Sequence, residues 1–291
     1  MSTPAITVET ETTARRRRGS RFGTLGPLGW VALVVIVAAA LLALFGPLLA
    51  PHDPNRIDLN LAYVGPYAGH PLGMDGQGRD LLSRLMVGAR ASMLGPLLVV
   101  AISTVLGGVL ALLAAWRGGV VDQVIARLLD TLLAVPGLLL AILAVAVFGP
   151  GLTAPVIALG ISYTPFFARI LRGSALREVR QQYVEALRVQ GFGGIPIVLK
   201  HLVPNLLPLL TAQATVNFGY ALIDLAALSY LGLGVQPPTA DWGAMVFSGQ
   251  AGIVQGYYME SLAAGACIVA VVCAFNVLGE RLADRWGAET R

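Results

Sequence analysis

Long uncharged stretches alternate with short basic stretches along this chain. A helix that crosses a bilayer needs about 20 mainly apolar residues, because each residue adds about 1.5 Å of length. The uncharged stretches predict six such helices, two of which are separated by Gly149-Pro150-Gly151. The predicted spans cover about 30–50, 91–116, 124–148, 153–172, 205–227 and 258–280. The segments 228–240 and 242–257 are rich in Gly and Pro, and they are predicted to form a loop.

The composition supports a membrane protein, since 56% of the 291 residues are hydrophobic and only 12% are charged. Soluble domains average about 25% charged residues, so this chain lacks the charges that a soluble surface requires. The same composition excludes a disordered chain and a disulfide scaffold. The net charge of +4 lies in separate clusters, which argues against nucleic acid as a partner. The fold class is therefore predicted as an all-α polytopic membrane protein in contact with the lipid bilayer.

Arginine and lysine set the predicted orientation, because loops on the cytoplasmic side carry an excess of both. If the N-terminus is cytoplasmic, 16 of the 20 basic residues fall in cytoplasmic segments, so both termini are predicted to be cytoplasmic. The long first apolar stretch and the lack of a small-residue cleavage site favour a retained anchor over a cleaved signal peptide. The predicted segments are a disordered basic tail (1–25), the first span with an extracytoplasmic segment (26–90), the main helical domain (91–285) and a short tail (286–291).

The loop between the fourth and fifth spans, residues 173–204, carries the most information about function. Its sequence YVEALRVQG predicts a short helix that ends at Gly191, because glycine adopts the left-handed conformation of a helix C-terminus without strain. Ala186, Leu187 and Val189 can form one small apolar face of this helix. Such a helix on the membrane surface suits docking to a partner protein. An ordinary surface connector is the alternative interpretation.

The same loop carries a family resemblance. Glu185-Ala186-Leu187, followed by Gly191 and by Pro204-Asn205 after KHLV, resembles the EAA loop of ATP-binding-cassette (ABC) importer permeases. Three more segments resemble the C-type permeases of the dipeptide/oligopeptide branch. They are HPLGMDGQGRDLLSRLMVGARASM, WRGGVVDQVIARLLDTLLAVPGLLLAI and LSYLGLGVQPPTADWGAMV. The resemblance extends from about residue 30 to 285.

Several positions depart from that family pattern. The family usually has Ala where Leu187 stands and Thr where Met74 stands, and Pro196 is unusual in the loop. The family's acidic residue in the fifth span commonly occupies the position of Leu225, whereas this chain has Asp224. A shift of one residue turns a side chain by about 100° around a helix, so the role of that acid is not transferred to Asp224.

The resemblance implies a type I ABC-importer transmembrane domain with six transmembrane helices and a cytoplasmic coupling helix. It places the chain in the bacterial cytoplasmic membrane, as half of a pathway for short peptides. Similar permeases carry nickel chelates, glutathione or haem. By the same resemblance, Glu185, Ala186, Leu187, Gly191 and Pro204 would contact an ATPase.

The implied partners are a B-type permease subunit, two ATPase subunits or one fused ATPase, and an extracytoplasmic substrate-binding protein. ATP and Mg would be bound by the ATPase subunits, and no cofactor is expected in this chain. The chain itself is not expected to be an enzyme. The sequence agrees, because it contains no G-x-x-x-x-G-K-[ST] phosphate-binding loop.

Polar residues inside the predicted spans are candidates for a translocation path, because such groups are costly in a membrane. Gln213 and Asn217 lie one turn apart on the fifth span, and Asp224 lies near its outer end without a local partner. Hydrogen bonding between helices is the alternative for the two amides. Contact with the outer membrane interface is the alternative for Asp224. Proline at position 136 predicts a kink in the third span.

Other polar residues are predicted to have structural roles. The glycines at 73–78 predict a turn before a short amphipathic helix, with Arg79, Asp80 and Arg84 at the membrane interface. Arg127 and Asp130 are three residues apart and are predicted to pair on one helix face. The three histidines lie far apart along the chain and have no ligand spacing, so no metal site is predicted. These histidines are His52, His70 and His201.

The alternative function is that of a self-sufficient secondary transporter of small solutes. Such a carrier would have inverted halves with matching broken helices, and the sequence contains no such repeat. A channel would have a repeated filter of charges or carbonyls, and an intramembrane enzyme would have a nucleophile and a base at membrane depth. Neither pattern is recognisable in the sequence.

Overall fold

The computed structural model describes residues 26–289, with only the backbone described for 285–289. The predicted tail at 1–25 and the last two residues lie outside the described residues. Within the described part the chain is mainly helical. Its helices are α1 (Gly26–Leu49), α2 (Leu81–Arg117), α3 (Gly119–Leu133), α4 (Gly137–Phe148), α5 (Thr153–Val179), α6 (Gln182–Val189), α7 (Gly194–Ile197), α8 (Val203–Tyr230), α9 (Trp242–Ser248), α10 (Gln250–Val254) and α11 (Met259–Glu289).

Five helical segments are long and apolar enough to cross a membrane: α1, α2, α5, α11, and α8 with the helical turns that precede it. The pair α3 and α4 makes the sixth span, bent by 77°. The prediction of six membrane helices is therefore confirmed. The kink predicted at Pro136 is a break in the third span, because Pro136 has no N–H to continue the hydrogen-bond ladder. The backbone N–H groups of Ala134 and Val135 bond instead to nearby carbonyls, those of Thr131 and Leu132.

Small residues let the long helices pack closely. A Cβ atom on Gly107 of α2 would lie 2.7 Å from the Cβ of Phe167 on α5. A Cβ atom on Gly160 of α5 would lie 2.7 Å from the side chain of Ile102 on α2. Such close approach is typical of membrane helices, where van der Waals packing holds helices together. It fixes α5, and with it the segment that follows α5, against α2.

The start of α2 differs from its sequence prediction. The predicted short amphipathic helix and the second span form one 37-residue helix, which the carboxylate of Asp80 caps. Arg79, Asp80 and Arg84 are buried rather than interfacial. The segment between α1 and α2 covers them, and it supplies partners. Asp75 accepts a hydrogen bond of 2.6 Å from the Arg79 guanidinium, and the carbonyl of Pro54 accepts one from Arg84.

The segment between α8 and α11 also differs from its prediction, because it contains α9 and α10 rather than only a loop. Trp242 at the start of α9 is buried, and its indole N–H donates to the carbonyl of Leu85 at 2.9 Å. Ser92 donates to Asp241, which caps α9 through the N–H of Ala244. Contacts with α2, 150 residues away, thus decide the structure of this segment.

Candidate coupling surface and translocation cavity

The short helix predicted in the loop between the fourth and fifth spans is α6, and it ends as predicted. Gly191 has φ +84°, which is left-handed backbone that favours glycine. The N–H of Gly191 bonds to the carbonyl of Arg188, and the N–H of Phe192 bonds to the carbonyl of Leu187 at 3.1 Å. These bonds satisfy the last carbonyls of the helix. The left-handed turn therefore sets the direction in which the chain leaves α6.

One face of α6 packs inward on a small core. Val184 is fully buried with Ile197 and Leu202, and Leu187 packs against them one turn later. The predicted single apolar face of Ala186, Leu187 and Val189 is therefore wrong. Leu187 points inward because it lies three residues after Val184, whereas Ala186 and Val189 are exposed on the other side.

A hydrogen-bond network ties α6 to the two long helices beside it. Glu178 near the end of α5 accepts hydrogen bonds of 2.7 Å from the Tyr183 hydroxyl and from the Asn205 amide of α8. Burial and the bond to Glu178 raise the pKa of Tyr183 to about 12. The phenol therefore stays protonated at physiological pH and keeps its donor. A displacement of α6 would thus be transmitted to α5 and α8.

A second anchor joins the segment after α6 to the end of α2. The Arg188 guanidinium lies 4.5 Å from the ring centre of Trp116, which is a cation–π contact. Gly194 lies against the same ring, since a Cβ atom there would come within 2.7 Å of the Trp116 indole nitrogen. The indole therefore holds both α6 and the start of α7.

The side of this segment that faces away from the rest of the protein is exposed and carries large apolar residues. Val189, Phe192, Ile195 and Leu199 are all at least half exposed, and Val189 reaches 85%. Glu185, Ala186, Gly191 and Pro204 are also exposed. We call this surface, residues 185–204, the coupling surface. Apolar side chains of this size, surrounded by polar ones, are typical of a protein-binding surface.

The three polar residues predicted for the fifth span face one cavity. This cavity of about 660 Å³ lies among α4, α5 and α8. Gln213, Asn217 and Asp224 line it from α8, at the spacing of one helix face. Pro136 and Gly137, at the break between α3 and α4, line it from the other side. Interrupted backbone at membrane depth is tolerated where it faces such a cavity, since it can be hydrated there.

Asp224 has a partner that the sequence did not indicate. The hydroxyl of Tyr163 on α5 donates to its carboxylate at 2.9 Å. Among the described residues that line the cavity, the carboxylate of Asp224 meets no basic side chain. The cavity thus presents one acid, two amides, the phenols of Tyr163 and Tyr220 and the hydroxyl of Ser162 to any solute that enters.

The charged pairs beside the cavity differ from the prediction. Asp130 pairs with Arg169 of α5, not with Arg127. Asp122 forms a bidentate salt bridge with Arg172, which also belongs to α5. Pairing across helices prevails because the facing surface of α5 carries two arginines spaced by three residues. These pairs fix α3 on α5 at the end of the span next to the coupling surface.

The histidines are not all far apart in space. His52 and His70 stack with ring centres 4.1 Å apart, next to the carboxylate of Asp80. No sequence pattern indicates this contact, because 17 residues of turns without regular spacing separate the two histidines.

Six membrane spans, a tethered surface helix between the fourth and fifth of them, and a polar cavity among the spans define the transmembrane subunit of a transporter. Residues 83–287 match the model of the family described as binding-protein-dependent transport system inner membrane component. Residues 27–66 match the N-terminal transmembrane domain of oligopeptide transport permease C. The chain belongs to this family of inner-membrane components. It is therefore a multi-pass membrane permease subunit of an ABC importer.

Individual relatives cover nearly the whole chain. The di/tripeptide transport system permease protein DppC of Pseudomonas aeruginosa is 40% identical, over 90% of this chain and 86% of that protein. The probable D,D-dipeptide transport system permease protein DdpC of Escherichia coli is 38% identical, over 89% of this chain and 86% of that protein. The glutathione transport system permease protein GsiD of Escherichia coli is 37% identical over 88% of this chain.

A solved structure supports the fold. The chain is similar to a chain of the MetNI methionine ABC transporter, determined in inward-facing conformations, with a TM-score of 0.54. The match covers 68% of this chain and 94% of that chain at 20% identity. At this identity the likeness shows the fold alone, which is that of an ABC-importer transmembrane domain.

Proposed function

We propose that this permease forms half of a translocation pathway for short peptides, and that ATP hydrolysis on separate subunits drives the transport. The observation that carries the proposal is the match of residues 83–287 to the importer family, together with relatives whose names specify dipeptides and tripeptides. Glutathione, the solute in the name of another relative, is itself a small peptide.

The proposed assembly has four kinds of component. A B-type permease subunit would complete the pathway, and two ATPase subunits, or one fused ATPase, would bind ATP and Mg. A substrate-binding protein would deliver the peptide from outside the bacterial inner membrane. This chain would bind neither ATP nor its Mg and would catalyse no reaction. Both of its termini would lie in the cytoplasm, because 16 of the 20 basic residues then lie on that side.

The proposed mechanism uses the coupling surface as a lever. Exposed Glu185, Ala186 and Gly191 would lie in a groove of the ATPase, with Pro204 at the edge of the contact. The hydrogen bonds of Glu178 with Tyr183 and Asn205 would carry the motion of α6 into α5 and α8. Both helices line the polar cavity, so a change in their tilt would open the cavity to one side of the membrane and then to the other.

Transport is expected to depend on the partner subunits. The purified chain in lipid vesicles should neither hydrolyse ATP nor take up a radiolabelled dipeptide, because its sequence contains no phosphate-binding loop. Addition of the B-type permease, the ATPase subunits and the binding protein should restore ATP-dependent uptake. Uptake by the chain alone, driven by an ion gradient, would instead support a secondary transporter.

The orientation is tested by single cysteines in a chain whose Cys267 and Cys273 are replaced by alanine. A cysteine at exposed Gln236 should react with a membrane-impermeant maleimide from outside the cell. A cysteine at exposed Gln182, the first residue of α6, should react only after permeabilisation. The opposite pattern would place the coupling surface outside and contradict its contact with an ATPase.

A further inference from the structure

The segment between α1 and α2 brings two histidines and an aspartate together beside the first residue of α2. The rings of His52 and His70 are stacked, with centres 4.1 Å apart and planes inclined by 22°. Nδ1 of His70 lies 2.8 Å from one carboxylate oxygen of Asp80. Nδ1 of His52 lies 3.7 Å from the other. The three possible ligand atoms all lie within 4.8 Å of one another.

A hydrogen bond explains only one of the two histidines. His70 is within hydrogen-bond distance of Asp80, but His52 at 3.7 Å is too far away. A tetrahedral ion with bonds of about 2.0–2.2 Å separates its ligand atoms by about 3.3–3.6 Å. The observed distances of 2.8 and 3.7 Å lie on either side of this value. Rotation of the stacked imidazole rings, so that both Nδ1 lone pairs turn toward one point beside Asp80, would bring all three groups to bonding distance of one ion.

Other contacts hold the three groups in place. The N–H and hydroxyl of Ser83 donate to Asp80 at 2.8 and 2.5 Å, and the backbone N–H of His52 donates to the Ser83 hydroxyl at 3.1 Å. His70 is fixed by paired backbone hydrogen bonds with Tyr67. Partners of this kind orient metal ligands in known sites, and their loss weakens metal binding.

The carboxylate of Asp80 is suited to a cation. Oδ2 of Asp80 accepts both hydrogen bonds from Ser83, while Oδ1 lies 2.8 Å from Nδ1 of His70. A cavity of about 390 Å³ adjoins the cluster, and Asp53, Arg56 and Asp58 also line it. This space gives solvent access and room for a water molecule as a fourth ligand.

We propose that His52, His70 and Asp80 bind one divalent transition-metal ion of the zinc type. Two imidazole nitrogens and one carboxylate oxygen suit Zn²⁺, whereas Ca²⁺ and Mg²⁺ prefer sites made of oxygen atoms. The ion joins the chain just after α1, the turn at residue 70 and the residue that caps α2. It therefore holds the segment that covers the buried arginines Arg79 and Arg84 in place.

Zinc binding is tested on the full-length chain, purified without a histidine tag and stripped with a chelator. Zn²⁺ is titrated in competition with a chromophoric chelator, and the wild-type chain is expected to bind one equivalent. His52→Ala and His70→Ala should each weaken zinc binding at least about 10-fold. Loss of a residue that only supports a ligand already weakens metal binding about 10- to 100-fold, and these variants remove a ligand itself. Asp80→Asn should also weaken binding, although asparagine still caps α2.

The third histidine provides a matched control. His201 lies in the π-helical turn Val198–Leu202, within the coupling surface and away from Asp80, so His201→Ala should leave zinc binding unchanged. Zn²⁺ should raise the midpoint of thermal unfolding for the wild-type chain and the His201 variant, but not for the His52 or His70 variants. Equal midpoints in chelator would show that all the variants fold. The proposal would be overturned if the wild type bound no zinc, or if His52→Ala and His70→Ala bound zinc as tightly as the wild type. Asp80 would then be a helix cap alone.

Discussion

Replacement of Gly191 by valine is expected to reduce peptide uptake by the assembled importer at least about 10-fold, with normal insertion of the chain into the membrane. Gly191 has φ +84°, which costs a residue with a side chain about 1–2 kcal/mol, and a β-branched residue is especially strained there. No atom lies within 4 Å of an added Cβ, so the effect comes from the backbone and not from a clash. The turn would relax and redirect Phe192 and Ile195 on the coupling surface.

Gly193, two residues later, is the matched control. It is also exposed, but its φ of −67° and ψ of 157° are values that valine adopts readily. A Cβ atom there meets only the ring of Pro196, at 3.7 Å. Gly193→Val should therefore transport at a rate close to that of the wild type.

The measurement combines uptake with co-purification of the ATPase subunits. Gly191→Val should either release these subunits or keep them while ATP hydrolysis continues without uptake. Normal assembly together with normal uptake in Gly191→Val would contradict the coupling role and make this segment a surface connector. A defect of equal size in Gly193→Val would indicate that bulk, rather than the left-handed turn, is what the partner excludes.

The sequence predicted those parts of the fold that depend on local properties. Hydrophobic length was sufficient to place all six spans, because a bilayer imposes the same thickness on each. Gly191 marks the end of α6 in the sequence, because the left-handed turn after a helix favours glycine and depends only on neighbouring residues. The residues Gln213, Asn217 and Asp224 were found on one helix face because the helical repeat alone aligns them.

The sequence could not predict features that depend on contacts between distant segments. Trp242 follows a stretch rich in Gly and Pro, and the hydrogen bonds of Trp242 with Leu85 and of Asp241 with Ser92 explain why α9 forms there. From its position in the sequence, Arg84 is expected at the membrane interface, whereas in the fold the segment before α2 covers it. The pairing of Asp130 with Arg169 depends on the packing of α3 against α5, which brings together residues 39 positions apart in the sequence.

Asp224→Asn is expected to reduce uptake of a dipeptide by about 10- to 100-fold and to leave the bound ATPase subunits unchanged. We expect this because a carboxylate that faces a membrane cavity without a basic partner is suited to the α-ammonium group of a peptide. A hydrogen bond to a charged group contributes about 1.5–3 kcal/mol, and 1.36 kcal/mol corresponds to a factor of ten. Asparagine has nearly the same size and can still accept the hydrogen bond from Tyr163.

Asp130→Asn is the matched control, because Asp130 is an exposed acid whose partner is Arg169 and which does not line the cavity. It should transport at nearly the wild-type rate, because position 130 lies outside the cavity and asparagine can still accept a hydrogen bond from Arg169. Asp224→Glu should recover part of the activity, because it restores the charge one methylene further into the cavity. Tyr163→Phe should have a smaller effect than Asp224→Asn, since it removes the hydroxyl that orients the carboxylate but keeps its charge. If Asp224→Asn transports as fast as Asp130→Asn, then Asp224 does not bind the peptide, and it contacts the outer membrane interface instead.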